Sequence, residues 1–113
     1  MFVGFIGTGN MGGALARAAA KKVAREKLFL ADAYAPVAEA LAKDLGCNAV
    51  SVEAVAQKAN VIFLGVKPQV IGTMLRDIAP ILKNRQDFVL VSMAAGVTIE
   101  TIQKTLGKNC ALI

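Results

Sequence analysis

The sequence predicts an α/β protein, a doubly wound and mostly parallel sheet with helices on both faces. Three observations predict it. Apolar runs of strand length alternate with helical segments along the whole chain. Two of those runs, Val61-Ile62-Phe63-Leu64-Gly65-Val66 and Phe88-Val89-Leu90-Val91-Ser92, are continuously apolar, as suits strands buried on both faces. A glycine-rich turn, Gly7-Thr8-Gly9-Asn10-Met11-Gly12, follows the first run without a spacer.

The first strand is expected at 2–6 and the first helix at 10–24, with the turn between them. Strand, G-x-G-x-x-G, helix is the arrangement that a dinucleotide diphosphate needs. The first glycine permits the tight turn, the second lets the backbone approach the phosphates, and the third lets helix and strand pack closely. The helix N-terminus adds unpaired N–H groups and partial positive charge.

The second strand, 28–32, ends on Asp32, 20 residues beyond Gly12. A carboxylate that accepts hydrogen bonds from the adenosine ribose belongs at this spacing, and a turn or helix-capping aspartate would look the same. No arginine follows within Asp32-Ala33-Tyr34-Ala35, so a 2′-phosphate would meet like charge and the residues lean toward NAD over NADP. A helix over 35–45 carries Pro36 in its first turn and stops before Gly46.

Strands follow at 48–50, 61–66, 88–93 and 110–113, and helices at 52–58, 69–83 and 98–106. The last helix is placed by Thr98, Glu100 and Thr101 after the turn residues Ala95-Gly96. Val66-Lys67-Pro68 ends the fourth strand. Proline restricts Lys67 to an extended conformation, giving a rigid loop that could hold a nicotinamide ribose or ring face, or one that merely starts the next helix. Lys67 reads as a solvated lysine and not as a catalytic acid. Ser92-Met93-Ala94-Ala95-Gly96-Val97-Thr98 is small enough to admit a ring, and a plain strand-to-helix turn has the same composition.

Right-handed crossovers then give the strand order 3-2-1-4-5, with the sixth beside the fifth. The topological switch falls between strands one and four. Gly7 to Met11, Asp32, Val66 to Pro68 and Met93 to Gly96 all lie at carboxyl ends of strands around that point, where such sheets bind ligands.

Composition sets the bounds. One domain is expected from 113 residues, of which 56% are apolar and 19% charged, values that exclude a disordered chain. No apolar stretch approaches the roughly 18–20 residues of a bilayer span, and the opening lacks a signal peptide's basic start, so a cytosolic protein without membrane association is expected. Cys47 and Cys110 have no metal-ligand spacing and read as free thiols. With no histidine in the chain, a zinc site or histidine-dependent triad is not expected.

The net charge is +5, from 13 basic and 8 acidic residues. Arg17, Lys21, Lys22, Arg25 and Lys27 cluster around the end of the first helix, without the interleaved aromatics of a nucleic-acid face. They read as a solvated surface. Cys110-Ala111-Leu112-Ile113 reads as a strand opening, and with the high apolar fraction this suggests a fragment whose apolar surface packs on a second domain.

Gly4-Phe5-Ile6-Gly7-Thr8-Gly9-Asn10-Met11-Gly12 resembles the opening of several reductase families, among them the β-hydroxyacid dehydrogenases. Joined with Phe63 to Gln69 and Ser92 to Ile99, the chain resembles the amino-terminal Rossmann-type domain of pyrroline-5-carboxylate reductases along nearly its whole length. The resemblance implies hydride transfer from NAD(P)H to the cyclic imine carbon of pyrroline-5-carboxylate, giving L-proline. It implies that Ile6, Gly7, Thr8, Gly9, Asn10 and Met11 wrap the diphosphate and that Asp32 meets the adenosine ribose. Gly65, Val66, Lys67 and Pro68, with Met93, Ala94 and Ala95, would line the nicotinamide side.

The family commonly accepts NADPH, against the lean that Asp32 gives, so NADP and NAD both stand as cofactors. Its members continue into a helical domain that builds a homo-oligomer and binds substrate, and no catalytic residue is therefore named in this chain. Two other functions fit the residues: a β-hydroxyacid-dehydrogenase-like reductase, and a stand-alone dinucleotide-binding module.

Overall fold

The opening apolar run forms strand β1 (Val3–Ile6), and every later strand of the sheet lies parallel to its neighbours. The computed structural model describes residues 1–7, 10–65, 68–85, 87–92 and 111–112. The remaining strands are β2 (Leu28–Ala31), β3 (Asn48–Ala49), β4 (Val61–Leu64), β5 (Val89–Ser92) and β6 (Ala111–Leu112). They are ordered β3-β2-β1-β4-β5-β6, the order expected from the sequence. The expected helix at 98–106 lies outside the described residues.

Strand register sorts the side chains into two faces. Val3 stands beside Leu28 and Val61, and Phe5 beside Leu30 and Phe63. Phe5 and Phe63 stack with ring centroids 4.6 Å apart. Helices α1 (Asn10–Ala19) and α2 (Ala35–Leu45) cover this face, through Ala16, Ala38, Leu41 and Ala42. Ile6, Phe29, Ala31, Ile62, Leu64 and Leu90 form the opposite face, under α3 (Val52–Lys58) and α4 (Pro68–Leu82). The chain changes face between β3 and β4, which places the reversal of strand order between β1 and β4.

Helix α2 shows why the sequence sets its bounds so clearly. Pro36 sits in the first turn, where its missing N–H costs nothing. Gly46 takes the left-handed conformation, φ 73°, and its N–H and that of Cys47 both donate to the Ala42 carbonyl. Cys47 is a free, half-buried thiol, and burial pushes its pKa up, so it stays neutral. Cys110 lies outside the described residues.

Helix α1 is shorter than the periodicity suggests, ending at Ala19 and not near 24. The Lys21 and Lys22 N–H groups donate three residues back, to Ala18 and Ala19. This tightening leaves both lysines exposed and brings Val23 against the core. A short 3₁₀ turn over Arg25–Lys27 then leads into β2. The cationic cluster is thus a solvated turn. Arg17 reaches Asp44 at 2.6 Å with both side chains more than half exposed, a pairing of little energetic weight.

Helix α3 comes close to the sheet at Gly4, where a Cβ would lie 2.5 Å from Val55 Cγ1 and 3.0 Å from Ala59 Cβ. Both are buried residues, Val55 in α3 and Ala59 at its end, and the β-branched Val55 has little rotamer freedom to yield. Gly4→Val should therefore lower stability by about 1–3 kcal/mol, read as a drop in the urea or thermal midpoint. An unchanged midpoint would mean that α3 is not seated on β1.

Candidate functional site

Each central strand stops in the same row, so the residues beyond them form one rim. Ile6 pairs with Ala31 on one side and with Leu64 on the other, and Leu64 pairs with Ser92. The ladder runs one step further. The Gly7 N–H donates to the Ala31 carbonyl at 2.8 Å, and the Gly65 N–H donates to the Ile6 carbonyl at 2.8 Å. On the outer side the Val50 N–H donates to the Leu30 carbonyl at 2.8 Å. Gly7, Asp32 and Gly65 are consequently held level at the carboxyl edge of the sheet, with Val50 one row behind them beside Ala31.

Gly7 has φ 92°, a conformation that an L side chain rarely adopts, and α1 begins at Asn10. Strand, left-handed glycine and helix start therefore occur in the order a diphosphate requires. The first turns of α1 and of α4 contain no acidic residue, so neither helix start repels an anion.

Asp32 fulfils one sequence expectation without losing the other. Its Oδ1 accepts the Tyr34 N–H at 3.0 Å, fixing the turn into α2. The residue is half-buried and also lines a cavity of about 620 Å³, a size ordinary for small-molecule sites. The cavity lies beyond the ends of β2 and β3, with walls from α2, α3 and α4. Ser51, which caps α3 by accepting the Ala54 N–H at 3.1 Å, is among the residues that line it.

Of the residues expected to hold the dinucleotide, Ile6, Gly7, Asp32 and Gly65 meet along the rim. Ile6 is fully buried, with its side chain in the core under α3 and α4, so its carbonyl alone serves this edge. Asn10 and Met11 open α1, and Pro68 opens α4. Thr8, Gly9, Val66, Lys67, Met93, Ala94 and Ala95 lie outside the described residues. Sequence reasoning missed Glu39, Glu53, Thr73 and Asp77, which line the cavity from three helices. Thr73 and Asp77 are four apart and share a helix face, a legible sign, but nothing local says which cavity that face borders.

Among the described residues, no helix is long and apolar enough to cross a membrane, and no group of His, Cys, Asp and Glu could hold a metal. The family described as NADP oxidoreductase coenzyme F420-dependent matches residues 2–96. The chain is 35% identical over 114 residues to the pyrroline-5-carboxylate reductase of Escherichia coli (strain K12), covering 98% of this chain and 42% of that one. Its fold is similar to the pyrroline-5-carboxylate reductase of Coxiella burnetii, with a TM-score of 0.87 and 25% identity over 97% of this chain and 41% of that one. It is similar also to the Plasmodium falciparum pyrroline carboxylate reductase with NADP bound, with a TM-score of 0.80 and 29% identity over 99% of this chain and 40% of that one. The chain thus spans about two fifths of the length of these relatives.

Replacing Asp32 by alanine removes the acceptor of the Tyr34 N–H at the entry to α2. Asp32→Ala should cost about 1 kcal/mol of stability in the absence of any ligand, seen in a denaturant midpoint. Full retention of stability would show that the turn forms without that bond.

Proposed function

This chain belongs to the NADP oxidoreductase coenzyme F420-dependent family, and we propose that it is the NAD(P)-binding domain of a reductase that converts pyrroline-5-carboxylate to L-proline. The observation that carries the proposal is Gly7 at φ 92°, fixed at the switch point between the end of β1 and the start of α1. Residues 1–113 would be one domain of a longer two-domain enzyme, which agrees with the greater length of its relatives. The partner of that enzyme would be a small cyclic imino acid, and assembly as a homo-oligomer would run through the second domain.

The residues divide the cofactor between them. Backbone N–H groups at the Gly7-to-Met11 turn and the start of α1 would hold the diphosphate. Asp32 would accept hydrogen bonds from the adenosine ribose, and Gly65 to Pro68 with Met93 to Ala95 would line the nicotinamide side. When bound, the reduced nicotinamide supplies the hydride for the imine carbon. The chain supplies position. The rim is fixed by three backbone hydrogen bonds of 2.8 Å, so it would set the distance between adenosine and nicotinamide ends. A protonated imine is already electrophilic, and no side chain of this rim is assigned a proton-transfer role.

Assay of the complete gene product with NAD(P)H and pyrroline-5-carboxylate should give oxidation of the dinucleotide and stoichiometric L-proline. Absence of turnover with this substrate rejects the assigned reaction. In the 113-residue chain, Gly7→Ala forces a Cβ into left-handed backbone at a cost of about 1–2 kcal/mol, which the turn relieves by reshaping. Dinucleotide affinity should fall about tenfold in a calorimetric titration, and unchanged affinity would place the diphosphate elsewhere.

A further inference from the structure

The cavity beside Asp32 has an unusual lining for a place that meets a phosphorylated ligand. Four carboxylates border it: Asp32 from the end of β2, Glu39 from α2, Glu53 from α3 and Asp77 from α4. No lysine or arginine is among the described residues that line it. The chain as a whole carries net charge +5, so this acidity is local and runs against the overall balance.

We infer that this lining makes the chain selective for NADH over NADPH, with Glu39, Glu53 and Asp77 as specificity-determining residues alongside Asp32. The inference rests on the proposed dinucleotide reading, with the adenosine end in this cavity. The chemistry separates the two cofactors at one position. The 2′-hydroxyl of NADH is a donor, and ionised carboxylates are acceptors only. The 2′-phosphate of NADPH is an acceptor with a charge of about −1.5 to −2 at neutral pH, as for other phosphate monoesters.

A hydroxyl therefore gains a hydrogen bond where a phosphate meets repulsion. The four carboxylates come from four different elements around the cavity. At low salt they act together, since the screening length is about 10 Å at 0.1 M ionic strength and longer below it.

The test is calorimetric titration of the 113-residue chain with NADH and with NADPH at low and high ionic strength. NADH should bind at least tenfold more tightly at low ionic strength, and the ratio should contract as salt is raised. NADPH binding as tightly as NADH, or more tightly, overturns the selectivity while leaving the dinucleotide reading intact. Binding of neither cofactor overturns that reading and the selectivity with it. The double variant Glu39→Gln, Asp77→Asn alters two exposed side chains and spares Asp32. It should raise NADPH affinity relative to NADH affinity at least threefold, and an unchanged preference rejects the assigned role of these carboxylates.

Discussion

The hydrogen bond from the Gly7 N–H to the Ala31 carbonyl ties the turn after β1 to the strand that ends in Asp32. It carries the ladder one residue past β1 while Gly7 takes φ 92°. The backbone there is committed to the sheet and to a left-handed bend at once, and glycine meets both demands without steric cost. The start of α1, the Asp32 turn and the Gly65 backbone all take their positions from this row. A side chain at Gly7 would disturb the place where the parts meet, and not one contact among many.

Packing explains why that row stays level. α1 and α2 cover one face of the sheet and α3 and α4 the other, so β1 is buried on both sides and cannot tilt toward either. α3 comes close to β1 because Gly4 has no Cβ where Val55 and Ala59 press on the strand. One glycine thus permits the helix contact in the middle of β1, and another permits the bend at its end. Both belong to the opening segment, and their demands differ: space in one case, backbone conformation in the other.

What the sequence disclosed follows the range of the interactions involved. The bounds of α2 were legible because Pro36, Gly46 and their neighbours fix them locally. Strand order was legible because handed crossovers leave few topologies for alternating apolar runs. The end of α1 was not, since the periodicity continues past Ala19 and only the need to seat Val23 and enter β2 ends the helix. Asp32 was singled out by its spacing; it holds the turn into α2 and stands at the border of the cavity. Glu39, Glu53 and Asp77 belong to helices distant in sequence and converge only through the sheet, so no local pattern could announce them.

The charge layout along this edge has a consequence for orientation. A dinucleotide is anionic at its diphosphate and neutral at its adenine and unphosphorylated ribose. The edge is polarised in the matching sense: helix starts free of carboxylates at the centre, and carboxylates around the outer cavity. A ligand entering with its diphosphate toward the cavity would meet four like charges, and its neutral end would leave the helix N-termini unsatisfied. Repulsion in one place and attraction in the other therefore act on the same choice. On the proposed dinucleotide reading, that would direct the adenosine outward beyond β2 and leave the reacting ring on the side of β4 and β5, so the acidic lining would orient the ligand as well as discriminate between its two forms.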